Sequence, residues 1–173
     1  MKICIYLVLY LGFIGISYSA DPVEFSVGGF AFERPSGWGW VVPSSPMRKA
    51  QLSVPGVGLA APGEVTFFHF GAGQGGGVKA NVDRWLGQFQ EGTSDSRTET
   101  VGKTTVTFVR AAGTFSSGMP GGPTSPVKDY AMRGAILENG AEGDVYLKMT
   151  GPEPVVKAAE DAFEKMVKAA AAR

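Results

Sequence analysis

Alternating apolar and polar side chains predict β-strands along most of the chain. The strongest pattern covers residues 64–70, where Val65 and Phe67 point to one side and Phe68 and Phe70 to the other. Because both sides carry bulky apolar groups, we expect an interior strand that is covered on both faces. Weaker patterns predict further strands: 25–32 as one strand or a bulged pair, 38–40, 47–54, a hairpin over 100–109 continuing to 115, 130–137 and 144–149.

A helical repeat of apolar residues predicts two amphipathic helices. The first covers 78–90, and its apolar stripe includes Trp85. The second begins within 151–154, where a proline and an acid occupy the first turn, as the missing N–H and the helix dipole favour. The polar stretch 91–98 and the stretch 116–126, which is rich in glycine and proline, are predicted to be loops.

The order of these elements predicts the fold class. Short turns at Gly102-Lys103 and Asn139-Gly140 join neighbouring strands, so the sheet is expected to be antiparallel. The two helices must bury their apolar stripes against that sheet. We therefore predict an α+β domain, with an antiparallel β-sheet packed against two amphipathic helices.

The N-terminus has the pattern of a secretory signal peptide. Lys2 precedes an apolar run over 3–16, and Ser17 to Ser19 resembles a cleavage site with small residues. The run is about 14 residues long, shorter than the roughly 20 that a spanning helix needs. We predict a signal peptide at 1–19 and a single domain at 20–173, secreted or periplasmic, with no stable membrane span after cleavage. An uncleaved anchor is the alternative.

Charge and cysteine content exclude several classes of function. Lys+Arg and Asp+Glu both number 16, and cleavage would remove Lys2, which leaves the mature chain near −1. Without a basic field, neither nucleic acid nor an anionic membrane is expected as a partner. The single cysteine, Cys4, lies in the signal segment, so the exported chain would have no disulfide, thiol nucleophile or thiolate metal ligand.

Gly71 to Gly77 form a glycine-rich loop between the strand 64–70 and the first helix. The loop fits the G-x-G-x-x-G pattern of dinucleotide-binding proteins. Those proteins have parallel strands and an acid after the next strand, whereas here the strands are predicted to be antiparallel and the next strand ends near Arg110 without an acid. We expect a tight strand-to-helix joint and no cofactor, with an anion site at the helix start as the alternative.

Five polar residues are candidates for binding. His69 is the only histidine, so no second imidazole can form a metal pair, and we expect a partly buried, hydrogen-bonded side chain rather than a base. Asn81, Arg84 and Gln88 form a polar stripe along the first helix, which either fixes the helix to nearby loops or recognises a ligand. Gln74 in the glycine-rich loop completes the predicted set.

Several short motifs occur in a fixed order along the chain. They are Trp38, Met47-Arg48-Lys49-Ala50, the block Phe70 to Gly76 with Asn81, Arg84-Trp85 and Gln88-Phe89, and Lys148-Met149-Thr150-Gly151-Pro152. With these motifs the chain resembles a family of uncharacterised secreted bacterial proteins, which implies no particular activity. The order of elements is also similar to that of PsbP-like proteins, whose fold is an α/β/α sandwich. That resemblance implies an accessory or assembly role.

The predicted function is therefore an exported, non-enzymatic binding or accessory domain of the cell envelope. Its partner would be an envelope protein or a small ligand, because no catalytic constellation is found in the sequence. One alternative is an enzyme that uses His69 and the Gly71 to Gly77 loop to hold an anion, and another is a purely structural envelope component. A concave pocket that collects His69, Arg84 and Gln74 would favour the enzyme.

Overall fold

A computed structural model describes residues 21, 23–117 and 125–173. The predicted signal peptide at 1–19 lies outside the described residues, as does most of the predicted loop 116–126. The boundary between signal and domain therefore stays a prediction.

Within the described ranges the chain alternates strands with two helices. The helices are α1 (Val78–Leu86) and α2 (Glu153–Ala172). The strands are β1 (Glu24–Val27), β2 (Phe30–Glu33), β3 (Gly39–Trp40), β4 (Arg48–Val54), β5 (Gly63–His69), β6 (Phe89–Val101), β7 (Thr104–Ser117), β8 (Ser125–Leu137) and β9 (Val145–Pro152).

The strands form a seven-stranded antiparallel sheet and a separate hairpin. The order in the sheet is β3-β4-β5-β9-β8-β7-β6, while β1 pairs only with β2. The predicted strand over 64–70 is β5, and it lies in the interior of the sheet between β4 and β9, as its two apolar faces indicate. The α+β class, with one antiparallel sheet and two helices, is confirmed.

The two faces of the sheet carry separate clusters of buried side chains. One face packs against α2 and the β1–β2 hairpin, and Phe67 and Phe163 are fully buried there. The opposite face packs against α1, with Trp85 and Tyr146 in a smaller cluster. The result is an α/β/α arrangement. Because α1 has only nine residues, it covers part of its face and leaves a cleft beside it. Neither helix of the described part is long and apolar enough to cross a bilayer.

Two predicted boundaries are wrong at the end of α1. The helix predicted over 78–90 ends at Leu86, where the Gly87 N–H donates to the Asp83 carbonyl at 2.9 Å. The predicted loop 91–98 is instead part of β6, which pairs with β7. The reason is that β6 is an edge strand whose side chains are mostly exposed on both faces, so its sequence shows no apolar alternation. This segment forms a strand because its backbone is hydrogen-bonded to β7.

The outer strands are tied to α2 by ion pairs. Arg97 on β6 lies 2.7 Å from Glu164, and Arg133 on β8 lies 2.9 Å from Glu160. Arg110 on β7 reaches both carboxylates, at 2.8 Å to Glu160 and 3.2 Å to Glu164. The polar face of α2 therefore fixes the helix across three strands as well as meeting solvent.

Replacing Glu164 by glutamine should make the free energy of unfolding fall less steeply as the pH is lowered. Burial alone would raise the pKa of Glu164, but hydrogen bonds from Arg97 and Arg110 outweigh it and hold that pKa below its usual 4.5. Because the folded state favours the ionised carboxylate, this stabilisation is complete above the unfolded pKa and is lost as pH falls through the folded pKa. Urea midpoints measured from neutral pH to about pH 3 check this.

Asp161→Asn, which removes an exposed carboxylate from the same helix, is the matched control for Glu164→Gln and should leave this pH dependence unchanged. If the Glu164→Gln protein lost stability on acidification as steeply as the original protein, the ion pairs would contribute nothing.

Candidate ligand-binding cleft

A cleft of about 280 Å³ lies between α1 and the part of the sheet that α1 leaves uncovered. Strand alternation determines which side chains reach it. Phe68 on β5 is opposite Tyr146 on β9, and Thr66 is opposite Lys148, so these four side chains share the face that meets α1. The helix contributes the other wall through its stripe at Trp85.

One part of the wall and rim of the cleft is apolar. Trp85 and Tyr146 are buried in the cluster beneath it. Phe70 lies 6.3 Å from Phe68 and 6.0 Å from Tyr146, measured between ring centres. At the rim, Met47 is 59% exposed and Phe70 is 39% exposed. Apolar surface is therefore available to a ligand at the entrance.

Asn81 is a positioning residue at the base of α1. Its side chain is buried, and its Nδ2 donates to the carbonyls of Gly75 at 2.6 Å and Gly77 at 2.8 Å. Its Oδ1 accepts a hydrogen bond from the Arg84 guanidinium. Both atoms of the amide thus have partners within the protein, and the side chain fixes both the glycine-rich loop and Arg84.

Lys148 brings a second cation to the cleft. Its ammonium donates to the side-chain carbonyl of Gln88, and Nζ lies 5.3 Å from the centre of the Phe115 ring. Burial is the main cause that lowers the pKa of Lys148 to about 8, the charge of Arg84 lowers it further, and Glu64 opposes both. Among the described residues, no carboxylate lies within ion-pair distance of Lys148 or Arg84.

The structure brings together three of the five predicted binding residues. Asn81, Arg84 and Gln88 line the cleft, whereas His69 and Gln74 do not. His69 lies on the other face of β5, where its Nδ1 is 3.3 Å from the Asp144 carbonyl. Gln74 is exposed in the glycine-rich loop. The cleft that contains Arg84 is therefore lined by neither of the other two residues that the enzyme alternative places with it.

Sequence reasoning missed the residues that β9 and its neighbours supply to the cleft. For Lys148, Tyr146 and Met47 the sequence pattern predicts only that they lie in strands, with Met47 at the start of its strand. One signal was available for Lys148: it is the single charged residue within 145–152, a segment that is otherwise largely apolar or small. Lysine is rarely buried without a partner, so a lysine in the interior of such a strand indicates that a neighbouring group interacts with it.

The glycine-rich loop is a strand-to-helix joint in the structure. Its glycines at positive φ are Gly71, Gly73, Gly75, Gly76 and Gly77. The hydrogen bonds from Asn81 hold two of its carbonyls toward the start of α1. Because these carbonyls are held by hydrogen bonds within the protein, they support the interpretation of the loop as a strand-to-helix joint.

Gly75→Ala should destabilise the protein more than Gly73→Ala. Both positions have positive φ, which costs an L-residue about 1 kcal/mol or more. A Cβ at Gly75 would also lie 2.8 Å from the Tyr146 hydroxyl, whereas a Cβ at Gly73 would meet open space. Denaturant midpoints of the two variants check this difference. Equal midpoints would mean that Tyr146 does not pack on the loop as described.

Comparison with known proteins supports the fold and no particular activity. The sequence matches no family model and no curated protein. The structure is similar to the solution structure of cyanobacterial PsbP (CyanoP) from Synechocystis sp. PCC 6803, with a TM-score of 0.51 and 10% identity over 90% of this chain and 96% of that chain. The fold is PsbP-like.

A second similar structure is PA94 from Pseudomonas aeruginosa, a protein of unknown function. It has a TM-score of 0.48 and 13% identity, and the match covers 84% of this chain and 92% of that chain. This weaker likeness carries no argument about function. The resemblance to a family of uncharacterised secreted bacterial proteins has no matching family model behind it and stays a prediction.

Proposed function

We propose that this chain is an exported, non-enzymatic binding domain whose cleft holds a small ligand with an anionic group and an apolar or aromatic body. One observation carries the proposal. Two cationic side chains, Arg84 and Lys148, share a cleft with an exposed apolar rim, and no carboxylate among the described residues is ion-paired with either of them.

An anionic group on the ligand would relieve the electrostatic cost of this arrangement. Partial burial and the neighbouring charge of Arg84 both disfavour the ammonium form of Lys148. A carboxylate or phosphate between the two cations would form charge-assisted hydrogen bonds, which are about twice as strong as neutral ones. Asn81 and Gln88 already hold the two cations in place, which lowers the entropic cost of binding.

The rim and the volume restrict the rest of the ligand. Met47 and Phe70 offer exposed apolar surface, and rings are the groups that stack best against Phe70. Ligand pockets commonly have volumes of about 300–1,000 Å³, so a cleft of 280 Å³ suits a small molecule. The C-terminal carboxylate of a partner protein is the second candidate, because it would present the same anion at the same cations.

Export is supported by the charged start, the apolar run and the Ser17 to Ser19 site. N-terminal sequencing of the protein recovered from the producing cells checks it directly. The processed chain should begin at Ala20 or Asp21. Intact Met1 in the mature soluble protein would contradict export through this segment.

The cleft is tested with a matched pair of probes, 2-naphthoate and the neutral 2-naphthylmethanol. Calorimetry should show that the carboxylate binds and that the alcohol binds much more weakly. Arg84→Gln and Lys148→Gln should each weaken 2-naphthoate binding by about tenfold or more, because a hydrogen bond to a charged group contributes about 1.5–3 kcal/mol.

Lys79→Gln is the matched control for these substitutions. Lys79 is an exposed cation of α1 that pairs with Asp83 outside the cleft, so its removal should leave affinity unchanged. Equal binding of acid and alcohol, or equal losses in all three variants, would refute an anion site at Arg84 and Lys148. Peptides that bind only with a free C-terminal carboxylate would identify the partner as a protein instead.

A further inference from the structure

We propose that Lys148 is a carbonyl-reactive amine, so that the cleft takes small oxo acids, molecules with an aldehyde or ketone and a separate anionic group, as reversible covalent ligands. This inference rests on the proposed function, since the anionic group would be held at Arg84. The class of ligand follows from the chemistry of the two cations: a guanidinium binds an anion, while an amine also bonds to carbon.

The geometry sets Lys148 apart from a surface lysine. It projects from β9, which lies in the interior of the sheet between β5 and β8, so its backbone is fixed on both sides. Lys148 is one of the residues that line the cleft, and its Nζ donates a hydrogen bond to the neutral amide of Gln88. The exposed Lys79, by contrast, is paired with the carboxylate of Asp83 at 2.6 Å and lies outside the cleft.

The groups around Lys148 favour its neutral form. Burial contributes most, and Arg84 on α1 adds a like charge. Glu64 on β5 opposes them, but its carboxylate is shared with Arg48 at 3.4 Å and Gln51 at 3.1 Å. With a pKa of about 8 for Lys148, roughly a tenth of the amine is neutral at pH 7 and about half at pH 8.

The covalent step needs no oxidant or reductant. The lone pair of the neutral Nζ attacks the carbonyl carbon, a C–N bond forms, and the carbonyl π electrons move to oxygen, which then takes one of the two protons carried by Nζ. The resulting carbinolamine loses its hydroxyl group and the remaining N–H proton as water, which leaves a C=N bond. Hydrolysis reverses the sequence and releases the carbonyl compound unchanged. The step is therefore capture, without net chemical conversion of the ligand.

The test treats the protein with 4-carboxybenzaldehyde, which combines an aldehyde, a ring and a carboxylate. Cyanoborohydride reduces any imine to a stable amine, and peptide mass spectrometry then locates the modified lysine. Lys148 should be modified at least tenfold faster than Lys79, with a rate that rises with pH through a midpoint near 8. The methyl ester of the probe, which lacks the anion, should react several-fold more slowly at Lys148.

Arg84→Gln separates the contributions to the rate. It should slow the reaction with 4-carboxybenzaldehyde and move the pH midpoint upward, because a like charge is removed. It should also reduce the difference between the acid and its ester. Lys148→Arg keeps the charge and should abolish labelling at this position, while Lys79→Arg should not affect labelling of Lys148. The modified lysine is located in the unsubstituted protein, so that part of the test does not depend on whether any variant folds.

The outcomes for the two proposals are distinguishable. Labelling of Lys148 no faster than that of Lys79 would overturn the reactive amine, while continued binding of 2-naphthoate would leave the anion site intact. Selective labelling of Lys148 by acid and ester alike, without binding of 2-naphthoate, would overturn both the oxo-acid specificity and the anion site.

Discussion

Replacing Trp85 by alanine should lower the free energy of unfolding by about 3–5 kcal/mol, the usual cost of truncating a buried aromatic residue. Trp85 is only 5% exposed and is the large side chain by which the short helix α1 packs on the sheet. Its ring lies directly over Gly134 on β8, where a Cβ would be 2.5 Å from Cζ3 of the indole. Urea unfolding followed by circular dichroism measures the loss without relying on tryptophan fluorescence.

Gly134→Ala is the partner experiment, because it adds a methyl group at the position where the indole rests. It should cost about 1–3 kcal/mol in the original protein and less in the Trp85→Ala protein, where the clash is gone. A denaturant midpoint that did not change on Trp85→Ala would mean that the side chain is exposed. Trp85 would then be better explained as a stacking platform for a ligand.

Replacing Phe67 by alanine should be similarly costly, at about 3–5 kcal/mol. Phe67 on β5 is fully buried, and its ring centre lies 5.1 Å from that of Phe25 and 5.2 Å from that of Phe32. Those contacts attach the β1–β2 hairpin to the sheet, to which it makes no strand pairing. The substitution should therefore loosen the hairpin as well as lower the urea midpoint, and amide exchange across β1 and β2 measures that loosening.

Phe70→Ala is the control for Phe67→Ala, since it removes an aromatic side chain from the rim of the cleft just beyond the end of β5. It should change stability little, because the ring is 39% exposed, but it should weaken binding of 2-naphthoate. If Phe67→Ala were no more destabilising than Phe70→Ala, the hairpin would not be anchored through the aromatic cluster.

The sequence predicts those elements whose side-chain pattern reflects burial. The strand β5 and the helix α2 have continuous apolar faces in the core. The predicted bounds of β5 each lie one residue from the observed ones, and α2 begins within the predicted range 151–154. The turns at Gly102-Lys103 and Asn139-Gly140 carry their own local signal, and both lie between paired strands. These agreements are enough to specify the α+β class.

The sequence does not predict β6, because that strand is defined by its partner rather than by its own pattern. Its residues 91–96 are exposed, and the composition alone resembles a polar loop. Thirteen residues nevertheless lie in a strand, since β7 supplies the backbone hydrogen bonds. The first helix also ends earlier than predicted, because Phe89 belongs to β6 and packs on the sheet as part of that strand.

For the candidate site, the sequence predicts the part that comes from α1 and the turn after it. The predicted stripe of Asn81, Arg84 and Gln88 does reach the cleft, although α1 ends at Leu86 and Gln88 lies in the turn beyond it. Lys148 comes from a strand far along the chain, and only the pairing of β5 with β9 determines that it faces α1. His69 was grouped with them by type, but strand alternation places it on the opposite face.

The central claim is that one ligand contacts Arg84, Lys148 and the aromatic wall of the cleft together, and NMR mapping with 2-naphthoate tests it most directly. In a ¹⁵N-labelled sample, the largest saturable shifts should occur at the Trp85 indole N–H and the Gln88 side-chain amide. Signals of the β1–β2 hairpin and His69 on the other face should stay in place. Shifts that are largest at His69 or the hairpin, or that 2-naphthylmethanol reproduces in full, would contradict the claim.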